Sequence, residues 1–547
     1  MQILFAALLA MSITIILIPY LMRTAEFYGF IDKPDTRKVH LVPIPRVGGI
    51  AIGLATLLAT LFWVEFTVQF QVIVLSMFIL WSFGLLDDRF NLSASHKFIG
   101  QIIAALLVVY WGGVSIERFF FHEYIFLPKW MSVFFTLFVI VGSTNAFNLA
   151  DGLDGLAGGS ALICLSGILL LALLGQSMQI ALLSAIVMGA ILGFLRFNTY
   201  PAQVFMGDSG SQLLGFTIVV LAILLTQDPH LPYSESLPFV LLGVPVIDTL
   251  MVMFGRIWKK QSPFKADRNH IHHRLLDMGL YHHEAVMMIY VFQLCMVIIG
   301  WALRYHSDFI IISVFICVLC FIVISLYFSR KTGFHFRAKK NTRINHSYLY
   351  SLLMSLKHDQ GHAALIDRLI GIAVGSYFLL LIINNSVPDI DVSMLAVFIG
   401  IVWVIVALLG EKYSFYTNWV GRAVLYVTVM TAVTVDRTGM IPREVKFFLE
   451  ALIFISMAVP IGLRIYVSEN RRFDASPLDF LVLLVTLILP NLPGNQLSAY
   501  VGGWFVVKVL LMFYAVEALN DSKHVSNKIK NAVELCFLCW LSLGLVF

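Results

Sequence analysis

Four polar stretches interrupt the apolar sequence of the first 280 residues, and their residue types could do phosphoryl chemistry. LLDDRF carries Asp87 and Asp88, NAFNLADGLDGLAGG carries Asn145, Asn148, Asp151 and Asp154, and FMGDSGS carries Asp208. DRNHIHHR adds Asp267, Arg268, His270, His272 and His273. Carboxylates are costly to bury at membrane depth, so such a set is a functional-site candidate by default. Oxygen donors without cysteine suit a hard cation, and Mg²⁺ is usually held by one or two carboxylates plus substrate phosphates. Lys97 and Arg268 are cations able to neutralise a pyrophosphate while the attacking oxygen is placed in line. Singly, each stretch also reads as a helix end or a turn. His282 and His283 read as solvated, and Asp248 as either a packing or a lining group. The joint occurrence on one membrane face argues for a site.

That one-face argument comes from the elements that position the motifs. The chain has 547 residues, 59% hydrophobic and 13% charged, against about 25% charged in soluble proteins. Apolar runs of spanning length recur throughout. Two runs separate the loop at 21–48 from Asp87, two lie within 98–144, two within 160–195 and two within 212–255. An even number of crossings separates each motif from the next, so all face one compartment. Lys and Arg crowd the motif-side loops, whereas the opposite loops hold Arg118 and Lys129. The positive-inside rule makes the motif side cytoplasmic. The expected fold is an all-α integral membrane protein, a polytopic bundle of about eleven helices followed by about seven more. The first apolar segment reads as a retained helix rather than a signal peptide. A net charge of +5 with no basic arm gives no sign of nucleic-acid binding. CVLC and CFLC lie inside apolar runs and read as small hydrophobes, not as metal or redox sites.

Three segments are expected: a membrane core over 1–330, a basic cytoplasmic linker over 331–368 and a C-terminal transmembrane extension over 369–547. The extension carries no acidic motif like those of the core. Its apolar runs also read as lacking the intramembrane charge pairs that a transporter would show.

Taken together and in order, GFIDKPDTRKVHLVPIPRVGGIAI (29–52), DDRFNLSASHKFIGQ (87–101), NAFNLADGLDGLAGG (145–159), FMGDSGSQLLGF (205–216) and DRNHIHHRLLDMG (267–279) resemble the polyprenyl-phosphate N-acetylhexosamine-1-phosphate transferases of the MraY/WecA superfamily. HIHH preceded by Asp-Arg is similar to the branch that uses UDP-N-acetylglucosamine or a related UDP-N-acetylhexosamine. The resemblance implies transfer of N-acetylhexosamine-1-phosphate, GlcNAc-1-phosphate first, from a UDP-sugar to undecaprenyl phosphate at the cytoplasmic face of a bacterial inner membrane, with release of UMP. It implies Mg²⁺, with Mn²⁺ as a substitute, held by Asp208 and Asp151. It implies a catalytic set of Asp87, Asp88, Asp151, Asp208 and Lys97. Substrate would be bound by Asn145, Asn148, Asp154, Arg268, His270, His272 and His273, with Lys38 and Arg46 from the first loop. The extension has no counterpart in these motifs; it is expected to serve dimerisation, docking of a later glycan-assembly enzyme or lipid-product handling. The competing classes are a lipid-linked-sugar transporter and a non-catalytic membrane scaffold.

Overall fold

The computed structural model describes residues 2–32, 43–262, 270–332, 360–384 and 441–467, with 508, 511, 512, 514 and 515. Lys38 and Arg268 lie outside the described residues, as do most of the 331–368 segment and much of the C-terminal extension. The chain divides into two compact units, Met1–Lys340 and Asn341–Phe547.

The first unit is a helical membrane bundle. Its helices are α1 (Gln2–Tyr28), α2 (Gly48–Trp63), α3 (Val68–Phe90), α4 (Ala94–Tyr110), α5 (Lys129–Ala150), α6 (Leu156–Leu174), α7 (Met178–Asn198) and α8 (Gly207–Gln227). They continue through α9 (Leu237–Leu241), α10 (Gly243–Trp258), α11 (Ile271–Asp277), α12 (His282–Leu303) and α13 (Asp308–Thr332). Among the described residues eight helices are long and apolar enough to cross a membrane, and α2 and α4 are shorter apolar helices. A helix satisfies its own backbone, which is why spanning runs adopt it. The few hydroxyls inside the spans follow the same rule: Ser12, Thr144 and Thr217 donate to the carbonyls of Leu8, Ile140 and Leu213, four residues back.

Helix α8 is the centre of the unit, with 94% of its apolar window buried, while α13 at 22% presents most of its surface outward. Central α8 packs against α3, α5, α2 and α6. It approaches both α2 and α3 closely: a Cβ on Gly49 would stand 2.3 Å from Gly210 N, and one on Gly84 would stand 2.4 Å from the Ser209 Cα. Only glycines allow α2 and α3 this close to the first turn of α8. Two small antiparallel ladders, absent from the all-helical expectation, join loops. β1 (Ile31–Asp32) pairs with β2 (Ile44–Pro45), and β3 (Arg118–Phe120) pairs with β4 (Tyr124–Phe126).

In the second unit, helices Gln360–Ile383 and Arg443–Val467 pack together, with the Tyr377 and Phe454 rings 5.1 Å apart. Here one expectation is corrected. Glu450, inside the apolar segment Phe448–Ile461, lies 2.6 Å from Lys508 Nζ, with side chains 4% and 9% exposed. The extension therefore does contain a charge pair within its apolar runs. Glu450 and Lys508 are 58 positions apart, and each alone reads as a stray charge.

Candidate active site

The C-terminal ends of α3 and α5, the N-terminal end of α8 and the start of α4 meet at one end of the first unit. α3 closes on Asn91 in the left-handed conformation (φ 49°), and the chain reverses into α4. The reversal returns Lys97 to the acid pair. Lys97 Nζ lies 2.5 Å from both Asp87 Oδ2 and Asp208 Oδ2. Asp87 Oδ1 accepts from the Leu92 N–H at 2.7 Å. Asp87 is buried and anchors both Lys97 and the α3–α4 turn.

Asp88 has a different task. Its Oδ1 accepts from Asp208 N at 2.7 Å, and its Oδ2 accepts from Ser209 N at 3.0 Å and Ser209 Oγ at 2.6 Å. It caps α8 from another helix, supplying negative charge where the helix dipole is positive. The cap leaves no room at Gly207, which has φ 72° and would place a Cβ 2.5 Å from Asp88 Oδ1. Gly207→Ala should therefore strain the backbone and displace the cap, at about 1–3 kcal/mol. The expected outcome is a lower melting temperature and slower turnover together; an unchanged melting temperature would remove Asp88 from this role.

Asp208 opens partly to solvent in the first turn of α8, within hydrogen-bonding reach of Asn148. Behind it runs a chain of amides. Gln212 Nε2 approaches Asp208 Oδ2 at 3.5 Å, Gln101 Nε2 donates to Gln212 Oε1 at 3.1 Å, and Asn145 Nδ2 donates to Gln101 Oε1 at 2.6 Å. Asn145 is thus a supporting group behind Asp208. Gln101 and Gln212 were overlooked in the sequence because a lone glutamine in an apolar run carries no chemical signature.

Asp151 caps the C-terminus of α5 and is exposed to solvent, although much of the protein surrounds it. Burial, and then the like charges of Asp208, Asp154 and Asp88, push its carboxyl up to about 7. A bound cation would reverse the like-charge part of that shift. Asp154 accepts from Ala202 N at 3.0 Å, bracing the loop before α8. The 151–155 loop is held by residues that sequence reasoning missed. Asn198 Oδ1 accepts from Gly155 N at 2.9 Å, and the Tyr290 hydroxyl donates to the Gly155 carbonyl at 2.6 Å.

The histidine segment docks on the same loop. A Cβ on Gly152 would lie 2.4 Å from His272 Nε2, so that ring rests on the loop backbone. Burial pushes the buried His272 down to about 4, leaving it neutral at physiological pH. His270 Nδ1 lies 2.8 Å from Asp248 Oδ2, and Asp248 Oδ1 accepts from Ile271 N at 2.7 Å. Asp248 is thereby the anchor of the histidine helix α11, and the His273 ring lies tilted against His272, centroids 4.3 Å apart, at the open side. His282 is half-buried and stacks on Tyr200 with centroids 4.5 Å apart, which corrects its reading as a solvated residue. Arg46 is paired with Asp32 beside the β1–β2 ladder, and the Phe205 N–H donates to the Pro45 carbonyl at 2.8 Å. The first loop therefore pins the segment that enters α8.

Open to solvent, wholly or in part, are Asp151, Asp154, Asp208, Asn148, Lys97 and His273; closed are Asp87, Asp88, His270 and His272. The open groups can meet a ligand, and the closed ones hold them in place. Among the described residues no three carboxylate, histidine or cysteine side chains converge at metal-ligating distance. The donor set still fits a hard cation: oxygen ligands only, with carboxylates outnumbering the single lysine. Two of them plus substrate phosphates make the usual Mg²⁺ arrangement.

Residues 70–226 match the family model for glycosyl transferase family 4. The chain is 37% identical over 321 residues to a probable undecaprenyl-phosphate N-acetylglucosaminyl 1-phosphate transferase of Bacillus subtilis (strain 168), covering 57% of this chain and 88% of that protein. It is 30% identical over 295 residues to the undecaprenyl-phosphate alpha-N-acetylglucosaminyl 1-phosphate transferase of Escherichia coli (strain K12), covering 53% of this chain and 80% of that one. A decaprenyl-phosphate N-acetylglucosaminephosphotransferase of Mycolicibacterium smegmatis is 33% identical over 303 residues, covering 48% and 73%. With relatives matched over most of their lengths, and with the matched segment carrying Asp87, Asp88, Lys97, Asp151 and Asp208, this chain belongs to glycosyl transferase family 4.

Proposed function

We propose that this protein transfers N-acetylglucosamine-1-phosphate from UDP-N-acetylglucosamine to undecaprenyl phosphate at the cytoplasmic face of a bacterial inner membrane. The observation that carries the reading is the gathering of Asp208, Lys97, Asp151 and Asn148 on open ground at one end of the bundle. That is where a soluble nucleotide and a lipid phosphate can both arrive. The names of the relatives support the lipid acceptor and the sugar.

An oxygen of the lipid phosphate attacks the β-phosphorus of the UDP-sugar. The bond from that phosphorus to the bridging oxygen breaks, and UMP leaves. Lys97, held by Asp87 and Asp208, neutralises a phosphate as the new pyrophosphate forms. Asn148 and Asp154 line the pyrophosphate and nucleotide side. His273, and Arg268 in the neighbouring segment, grip the sugar-phosphate end, while His270 and His272 hold that segment in place. The nucleophile needs little help from a base, since a phosphate monoester is largely ionised at neutral pH. Mg²⁺ held by Asp208 and Asp151 would supply charge neutralisation on the donor pyrophosphate, with Mn²⁺ able to take its place.

The test is UMP release by purified protein supplied with undecaprenyl phosphate, Mg²⁺ and a panel of UDP-sugars. Release with UDP-N-acetylglucosamine is expected, lost on adding EDTA and restored by excess Mg²⁺. A folded protein that releases no UMP from any donor would overturn the reading in favour of a scaffold.

A further inference from the structure

The end of the bundle opposite the acid cluster holds a cavity of about 750 Å³. α8 carries Asp208 at its first turn and Gln227 at its last, so about 28 Å of helix separates the two ends. No single small ligand reaches from one to the other, and on the charge-based topology this cavity faces outward.

Its wall is unusual for a membrane bundle. Five glutamines line it: Gln2, Gln69, Gln176, Gln179 and Gln227, joined by Trp63 at the end of α2. A glutamine amide carries two donor hydrogens and an acceptor, of which Gln227 already spends its oxygen on Glu117 N and one hydrogen on the Arg118 carbonyl. Three are tied to backbone. Gln69 Nε2 donates to the Gly112 carbonyl at 2.9 Å, Gln179 Oε1 accepts from Glu65 N at 3.1 Å, and Gln227 Oε1 accepts from Glu117 N at 2.9 Å. Those bonds preorganise the wall. Gln176 is exposed and held left-handed at φ 56° in the α6–α7 turn, a conformation uncommon outside glycine.

The charges define the ligand by exclusion. Among the described residues the lining includes the carboxylates Glu65 and Asp228 and no Lys, Arg or His. Nearby Arg118 pairs with Glu235 at 2.8 Å and does not line the cavity. Among these side chains a phosphate or other anion would meet two carboxylates and no basic group, so the side-chain charge is the reverse of the cytoplasmic end. Paired donors and acceptors beside an indole face suit a neutral polyhydroxylated ring, whose hydroxyls meet amides and whose apolar face meets the indole. The volume is in the range of small-molecule sites. We propose that this cavity is a second, extracytoplasmic binding site for a neutral saccharide, separate from the transfer site and independent of the transfer reading.

The experiment is saturation-transfer NMR on the full chain in nanodiscs, free of sugar-headed detergent, with N,N′-diacetylchitobiose as probe and UDP present to fill the nucleotide site. Transfer to the disaccharide is expected. Trp63→Ala and Gln176→Ala should each weaken affinity at least tenfold while UMP release stays at the wild-type rate. Inorganic phosphate should not compete. Absence of transfer, displacement by UDP or phosphate, or wild-type affinity in both variants would each overturn the proposal. If Trp63→Ala fails to fold, the exposed turn residue in Gln176→Ala carries the test.

Discussion

Asp208→Asn is expected to lower UMP release by about 10³-fold or more while leaving the protein folded, the scale of losing a group that stabilises transition-state charge. The geometry separates this from a folding defect. Asp208 is partly open, and its side chain caps nothing; its backbone N–H is what Asp88 holds. Losing its charge also relieves the repulsion that raises Asp151. It also costs Lys97 one of its two carboxylate partners, so the two effects offset and the melting temperature should stay close to that of the wild type. Mg²⁺ should raise the melting temperature of the wild type, since a ligand of the native state stabilises it by mass action, and should do so far less in the variant. Asp88→Asn should behave in the opposite way. It loses a charge-assisted cap, so stability falls by about 1–2 kcal/mol and turnover falls as α8 shifts. Mg²⁺-dependent turnover retained in Asp208→Asn would remove that residue from the metal site. Equal stability losses in both variants would remove the distinction between an open ligand and a closed cap.

The contrast between the two aspartates marks what the sequence could and could not reveal. Acids at the ends of apolar runs stand out against a hydrophobic background, and span parity places them on one face. The structure brings Asp87, Asp88, Asp151, Asp154 and Asp208 to one end of one bundle. Which member of the Asp87–Asp88 pair anchors Lys97 and which caps α8 depends on a contact 120 residues away in sequence. Adjacent residues on a helix point about 100° apart, and only the position of α8 decides their roles. Asp248 was ambiguous for the same reason: its partners, His270 and Ile271, lie beyond an intervening loop. Gln101, Gln212, Asn198 and Tyr290 are single polar groups whose meaning is their neighbour. Residue type revealed where chemistry was available, and packing decided which groups face a ligand and which hold the others still.

Removing either member of the Glu450–Lys508 pair should destabilise the second unit by about 3–5 kcal/mol, because the partner is left as an uncompensated buried charge. Glu450→Ala and Lys508→Ala should each lower the unfolding temperature of that unit and the yield of intact protein. UMP release per folded molecule should stay unchanged, since the acid cluster lies within the first unit. The double variant Glu450→Gln/Lys508→Met, of similar volume and without charge, should recover most of the loss, as buried pairs replaced by packed neutral groups often do. Recovery would carry its own argument: a pair that can be replaced without cost is not retained for stability alone. Charges at membrane depth are rare and are otherwise found lining substrate or ion paths, or fixing how helices associate. A recovered double variant that still makes UMP but has lost glycan output in cells would assign the extension to handling the lipid-linked product. Full glycan output with a changed oligomeric state would assign it to assembly. Single variants as stable as the wild type would mean that the pair is not buried in the membrane-embedded protein.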